Sequence, residues 1–281
     1  CLLMYLLNGE SKHCIDFSDR GFQYGDGLFE TIEIINGIPV FLSQHLQRLS
    51  KGCERLLIPT PDLEILRQEA LLIASQSKNP QAVLKLIVTR GSGGRGYRQP
   101  ETIQATRLFS LHPFPDYPES FKQLGITTRF CDTRLGLNPA LAGIKHMNRL
   151  EQVLARSEWD SVNIQEGIML DIADNVIEGT MSNIFAVKNN CLITPVISQC
   201  GVDGVLRNII IKLAKNNQIE VIEKQLSKEE LNLADELFIT NSIIGIWPVK
   251  QVEGQLYLVG TVTKQLQNLF LAFKQQESND C

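Results

Sequence analysis

Long apolar runs are missing from this chain: none approaches the roughly 18 residues that a helix needs to cross a bilayer, so no membrane partner is expected. An excess of basic charge is missing too. With 27 Lys and Arg against 31 Asp and Glu the formal net charge is −4, which leaves no basic footprint for nucleic acid or an anionic membrane. An anionic small-molecule substrate would then need cations supplied locally. Thiol-pairing signals are also absent. The seven cysteines, at positions 1, 14, 53, 131, 191, 200 and 281, form no CxxC pair and have no histidines at metal-ligand spacing. Such an odd, scattered set reads as the reduced thiols of a cytoplasmic protein without a metal site. The apolar start Cys1–Leu7 lacks the basic flank and cleavage signal of a targeting peptide and reads as a first strand, with Met4 a candidate start.

What is present is the patterning of ordinary globular structure. At 281 residues, 43% hydrophobic and 21% charged, the chain is long enough to bury two modest cores. Leu3–Leu7 and Leu28–Ile35 read as strands, and the second turns back along Ile38–Phe41 through Asn36-Gly37, a pair that accepts positive φ. Ser43 is placed to cap a helix to about Leu57, with Leu46, Leu49, Cys53 and Leu56 on one face and His45 and Arg48 off it. A second helix over Asp62–Ser75 and strands over Ala82–Thr89 and Thr106–Leu111 follow. His112-Pro113-Phe114-Pro115-Asp116-Tyr117-Pro118 holds three prolines, which stiffen it against helix and central strand alike. It divides the chain into an N-terminal domain 1–114, a linker 115–121 and a larger C-terminal domain 122–281. That second half reads as a strand over Gly125–Phe130, a helix over Asn148–Trp159 and hairpins around Asp174-Asn175 and Asn189-Asn190. A helix opened by Gly204, a strand over Ile219–Ile222, a capping box from Ser227 to Glu230, a buried strand over Leu237–Asn241 and a last helix over Thr263–Phe273 complete it.

Candidate chemistry is confined to a few stretches. Lys145, in Gly143-Ile144-Lys145-His146-Met147-Asn148-Arg149, stands at a loop-to-helix junction from which a side chain can reach into a cleft. Amine chemistry near neutral pH needs such a lysine to lose its proton, through desolvation or a cationic neighbour, or to be held as an imine. Glu178 heads an otherwise small, uncharged run; beside a cofactor it would keep a ring nitrogen protonated, and elsewhere it is a solvated hairpin acid. The helix start at Gly204 offers the amides of Val205 and Leu206 to a phosphate. Ser242 adds a hydroxyl at the end of an apolar strand, and Arg48 a bidentate guanidinium. Arg90-Gly91-Ser92-Gly93-Gly94-Arg95-Gly96-Tyr97 suits an anion held by backbone N–H groups and two guanidiniums. It lacks the lysine and following helix of a P-loop, which excludes nucleotide binding. Asp19–Gly27, with three glycines and two aspartates, reads as a tight loop.

Six segments occur in one order: DRGFQYGDGLFE, HLQRL around Arg48, the stretch at Lys145, IEGTMSN around Glu178, GVLRN from Gly204, and ADELFITNS ending at Ser242. Together they resemble the fold-type IV family of pyridoxal-phosphate enzymes over nearly the whole chain. The resemblance implies an α+β protein of two α/β domains in the D-amino-acid-aminotransferase-like architecture, with pyridoxal 5'-phosphate in the cleft between them. It implies a homodimer in which the Asp19–Gly27 loop serves the neighbouring site in part. It also implies that Lys145 carries the cofactor and is the catalytic residue and that Glu178 meets the pyridine nitrogen. Arg48, the amides of Val205 and Leu206 and the Ser242 hydroxyl then hold the phosphate. Leu206 departs from the threonine that aminotransferases of the family often carry, so a backbone amide serves there without a hydroxyl. KHMNRLEQVLAR from Lys145 and RGSGGRGY from Arg90 resemble the family's lyase branch more than its branched-chain or D-amino-acid aminotransferases. This implies an elimination on an anionic substrate, held by Arg90, Arg95, Tyr97 and Arg149, with amino transfer as the alternative.

Overall fold

The computed structural model describes residues 5–279; the expectations on Leu3 and Met4, and Cys1 and Cys281, lie outside these. By its contacts the chain divides into two units. The first runs through Pro115 and takes in Ile144–Asn148 and the chain from Gln275, and the second is Asp116–Gly143 with Arg149–Lys274. Among the described residues no helix is long and apolar enough to cross a membrane, and the cysteines are free.

In the first unit β1 (Tyr5–Leu7), β2 (Gly27–Ile35), β3 (Ile38–Pro39), β4 (Gln81–Thr89) and β5 (Thr106–Pro113) form one antiparallel sheet in the order β1-β5-β4-β2-β3. Asn36 and Gly37 turn the first hairpin with φ of 49° and 82°, the left-handed pair that matches strand twist. Alternation puts Leu28, Ile32, Ile34, Leu84, Leu86 and Val88 on one face, all buried. Helices α2 (Leu42–Leu56) and α3 (Leu63–Ala74) bury Leu46, Leu49, Leu66 and Ile73 as part of the same apolar core. Each such side chain contributes about 1.5–3 kcal/mol on burial. Two local expectations are corrected. Asp19–Gly27, expected as a tight loop, is in part helical: α1 (Arg20–Tyr24) forms within it, capped by the Asp19 carboxylate, which accepts from Gly21 N at 2.8 Å, and ended by Gly25 at φ 63°. Ser43 does not cap α2. Only two residues separate β3 from the helix, so Phe41 turns the chain in a left-handed conformation, φ 55°, without a side-chain cap. Ser43 Oγ instead accepts from Arg67.

The second unit contains α4 (Ser120–Leu124), β6 (Ile126–Leu135), α5 (Leu150–Arg156), β7 (Glu166–Asp171), β8 (Asn175–Gly179), β9 (Asn183–Lys188), β10 (Cys191–Pro195) and α6 (Val205–Asn216). It continues with β11 (Val221–Lys224), β12 (Leu226–Ser227), α7 (Lys228–Asn232), β13 (Glu236–Asn241), β14 (Gly245–Val252), β15 (Gln255–Leu256) and most of α8 (Thr261–Asn279). The path β9-β13-β14-β6-β7-β8 returns to β9 through the pair Glu178–Asn183, so six strands close into a ring. Closure removes the free edges that such strands would otherwise present. Ile168, Val176, Ile184, Leu237, Ile239 and Trp247 form the heart of its core. The capping box is present in both directions between Ser227 and Glu230. Strand β14 is not readable from the sequence, because Pro248, which lacks the N–H of a ladder residue, sits within it opposite Phe238. Strand β5 also continues through His112 to Pro113, so the proline-rich stretch begins as strand.

The sequence places Lys145 in the C-terminal domain, whereas Ile144–Asn148 groups with the first unit. Hydrogen bonding is the reason. Phe29 N donates to Lys145 O and Met147 N to Gly27 O, both at 3.0 Å, and His146 forms an antiparallel bridge with Leu28. Since β3 pairs only with Ile34 and Ile35, these three residues act as a short extra strand on the rest of that β2 edge. Helix α5 accordingly starts at Leu150, later than the Asn148 expected.

Candidate active site

Two clusters of chemistry-bearing side chains are present, one in each unit. In the first, the bridge between His146 and Leu28 leaves Lys145 on the opposite face of the sheet, that of Phe29. Lys145 Nζ lies over the Phe29 ring, 4.5 Å from its centre, a cation–π contact. On the other face Glu30 is a lone carboxylate at an apolar position, 1% exposed. His45 and Arg48, three residues apart on α2 and so on one side of it, both reach it. His45 Nδ1 is 2.6 Å from Oε2, and Arg48 places Nε 2.8 Å from Oε1 and Nη2 2.5 Å from Oε2. Burial opposes the charge of Glu30, but the Arg48 charge and the His45 hydrogen bond prevail and hold its carboxyl down at about 2. For His45, burial lowers the proton affinity most; the Glu30 bond and charge raise it, and the charges of Arg48 and Lys145 lower it further. A neutral imidazole beside an ionised Glu30 carries its proton on Nδ1. Its Nε2 is then an acceptor, buried and without a hydrogen-bond partner among the described residues. The sequence puts His45 off the apolar stripe, yet it is fully buried, because the residue below it in the sheet is Glu30.

In the second unit Glu178 is 4% exposed. Its Oε2 accepts from Val202 N at 2.8 Å, and its backbone makes the pair that closes the ring. Half-buried Arg149 is near: burial lowers the proton affinity of its guanidinium while the charges of Glu178 and Glu151 raise it. Asn183 Nδ2 donates to Val202 O at 2.8 Å, and a Cβ on Gly204 would run into Asn183 Oδ1. Gly204, at φ −65°, is thus required for space and not for conformation. Helix α6 begins at the next residue without a side-chain cap. Asn208 N bonds Gly204 O, so the amides of Val205, Leu206 and Arg207 precede the helical ladder at the positive end of the dipole. Arg207 anchors the helix through Pro195 O and Glu223, both at 2.9 Å. Ser242 lies half-buried in the turn after β13. Asn241 shapes that turn: its Oδ1 accepts from Ile243 N and Ile244 N at 2.8 and 2.9 Å, and its Nδ2 donates to Met181 O at 3.0 Å. Buried Glu166 fixes the preceding turn by accepting from Thr180 Oγ1, Met181 N and Ser182 Oγ. Gly143, two residues before Lys145 in the chain, is tied to this cluster through Gly201 O and Asp203 N, at 2.9 and 3.0 Å.

The expected substrate-binding residues fare unequally. Arg90 is 5% exposed. Its Nε and Nη2 donate to Asp26 at 2.8 and 3.0 Å, and Nη1 and Nη2 donate to Leu57 O and Leu56 O at 2.8 and 2.7 Å. These are carbonyls at the C-terminal end of α2, where helical partners run out. The expectation that Arg90 grips a substrate carboxylate is therefore corrected to a buried structural role. Arg20 shares Asp26, with Nε at 2.9 Å, and donates through Nη1 to Gly96 O at 2.9 Å, which folds the loop after Arg90. Arg95 and Tyr97 are exposed on that loop, the Tyr97 ring 5.7 Å from that of Tyr24. Glu30, His45 and Asn183 stand within DRGFQYGDGLFE, HLQRL and IEGTMSN, but the motifs themselves assign them no role. The signal for Glu30 was a carboxylate in phase with Leu28, Ile32 and Ile34 on one strand.

Residues 27–252 match the sequence profile of the family described as amino-transferase class IV. The chain belongs to that family, and its fold is the α+β, fold-type IV architecture that the sequence implies. It is 33% identical over 268 residues to an aminodeoxychorismate lyase of Vibrio harveyi, covering 94% of this chain and 98% of the relative. A crystal structure of 4-amino-4-deoxychorismate lyase from Pseudomonas aeruginosa matches with a TM-score of 0.93 and 42% identity, over 96% of this chain and 98% of that one. The branched-chain amino acid aminotransferase of Escherichia coli matches with a TM-score of 0.88 and 28% identity, over 98% and 95%.

Proposed function

We propose that this enzyme is an aminodeoxychorismate lyase that uses pyridoxal 5'-phosphate to convert 4-amino-4-deoxychorismate to 4-aminobenzoate and pyruvate, a step of folate biosynthesis. It works in the cytoplasm, with which the scattered, odd set of seven cysteines agrees, and as a homodimer, as the family resemblance implies. The observation that carries the reading is the 42% identity with the Pseudomonas aeruginosa lyase over 96% of the chain, against 28% for the Escherichia coli aminotransferase.

The side chains present fit the cofactor. The uncapped amides at the start of α6 lie beside a glycine that leaves no room for a Cβ, as a phosphate site needs. When bound, pyridoxal phosphate supplies an electron sink. Lys145 carries it, and Glu178, already held by Val202 N, keeps its ring nitrogen protonated. Arg48, the amides of Val205 and Leu206 and the Ser242 hydroxyl hold the phosphate. Once the substrate amine has displaced it from the cofactor, the free Lys145 Nζ would take the proton from the carbon bearing that amine and return a proton to the departing enolpyruvyl oxygen as the carbon–oxygen bond breaks. The ring is left aromatic, and the enol becomes pyruvate.

Borohydride reduction followed by peptide mass analysis should place the cofactor on Lys145. Lys145→Ala should abolish 4-aminobenzoate formation and leave the melting midpoint within about 2 °C, since the bond to Phe29 N uses only the Lys145 backbone. Near-normal turnover by that variant would sink the assignment. The match to the Escherichia coli aminotransferase favours amino transfer as the second reading. A transaminase given an amino acid alone is left with its cofactor in the amine form, whereas the lyase returns to its starting spectrum.

A further inference from the structure

With Arg90 committed to Asp26 and the end of α2, the substrate carboxylates need another cation, and the register of the first sheet supplies one. Cross-strand partners share a face. Thr31 is opposite Lys85, and Lys85 is opposite Ser110. These residues are two along from Phe29 and therefore on its side of the sheet, the side to which the strand-like segment brings Lys145. Lys85 Nζ lies over the Phe29 ring at 5.5 Å and Lys145 Nζ at 4.5 Å. Both distances run to one ring centre, so no more than about 10 Å separates the two ammonium groups.

Lys85 is half-buried, and among the described residues no carboxylate stands within ion-pairing distance of it. Its protein contact is the Phe29 ring, a cation–π contact that leaves the charge available to an anion. Glu33, the acid on the same face, accepts from Gln81. Polar groups continue across the strands: buried Ser110 Oγ is 2.8 Å from His112 Nε2. Burial, then the Lys85 charge, lower the proton affinity of His112, so this pair adds neutral hydrogen-bonding groups and Lys85 alone the charge.

We propose that Lys85, assisted by Ser110 and His112, is the site that receives a carboxylate of the substrate whose amine reacts at Lys145. The ligand class is an amino acid whose amine and carboxylate stand at opposite ends of a six-membered ring, so that one end can meet Lys85 while the other reacts at Lys145. The proposal rests on the lyase reading for the identity of that ring. It makes Lys85 a specificity-determining residue that does not itself touch the breaking bond.

The test uses cofactor-loaded Lys85→Gln and Lys85→Arg. With 4-amino-4-deoxychorismate, Lys85→Gln should raise KM roughly 10- to 100-fold, as expected for a lost charge-assisted pair, and leave kcat within about threefold. Lys85→Arg should recover most of the loss. Binding of the product 4-aminobenzoate, followed by the cofactor absorbance, should weaken in parallel, and the melting midpoint should hold within about 2 °C, because Lys85 loses only its contact with the Phe29 ring. Unchanged KM and product affinity in Lys85→Gln would overturn the proposal, as would a fall in kcat alone. If wild-type protein forms no 4-aminobenzoate, the lyase reading is what has failed. The subsite is then judged by 2-oxoglutarate, a dicarboxylate acceptor, whose half-saturation must rise by the same factor in Lys85→Gln or the proposal fails too.

Discussion

Arg90→Gln should act on stability and not on substrate affinity. The arginine makes two hydrogen bonds to Asp26 and one each to Leu56 O and Leu57 O, all between 2.7 and 3.0 Å. Removing one partner of a buried ion pair costs about 3–5 kcal/mol. Arg20 still donates to Asp26 at 2.9 Å, and the glutamine amide recovers one carbonyl, which reduces the expected loss to about 2–4 kcal/mol. Asp26 shows the same balance: burial opposes its charge, and the bonds and charges of Arg90 and Arg20 nevertheless hold its carboxyl below the ordinary range. At roughly 2–3 °C per kcal/mol for a chain of this size, the melting midpoint of Arg90→Gln should fall by about 5–10 °C. Circular dichroism melts of the cofactor-loaded protein measure it. Arg90→Lys should rescue little, since a point charge cannot serve a carboxylate and two carbonyls at once, and Asp26→Asn should be worse because it strands two buried guanidiniums. A variant Arg90→Gln that melts with the wild type but shows a raised KM would refute the structural role.

Acid should release a definite element of stability. The Glu30 carboxyl is depressed from 4.5 to about 2 in the fold, so its contribution, on the order of 3 kcal/mol, is complete above pH 4.5 and disappears as pH falls toward 2. Melting midpoints across that interval should fall less steeply for Glu30→Gln, which never carries the charge; parallel curves would count against the triad with His45 and Arg48. Gly204→Ala should loosen cofactor binding at least about tenfold, by pushing Asn183 off Val202 O beside the α6 amides. Gly254→Ala, where an added Cβ meets nothing within 4 Å, is the control, and equal cofactor affinity in both would remove the α6 start from the phosphate site.

Signals contained within a few residues carry through from sequence to structure. Asn36-Gly37 and Asn189-Asn190 turn as expected, with positive φ at all four positions, and the Ser227 box caps its helix, because turn and cap chemistry is local. Lys145, Glu178, Arg48, Val205, Leu206 and Ser242 are candidates for a related reason, since each stands in a short motif, and the roles proposed for them await the tests above. Arg90 was misjudged because its partners, Asp26 and the end of α2, are far away in the chain, and a glycine-rich loop with two arginines looks alike whether the guanidiniums point out or in. Lys85 was invisible for the same reason in a stricter form. Its place beside Lys145 depends on two registers, Thr31 with Lys85 and Leu28 with His146, neither of which leaves a trace in local composition. A slip of one residue in either would turn one lysine onto the face that holds Leu28, Ile32 and Leu86. An ammonium buried there without a partner would cost several kcal/mol. The burial of that apolar face therefore also fixes, by parity, which side of the sheet bears both amines.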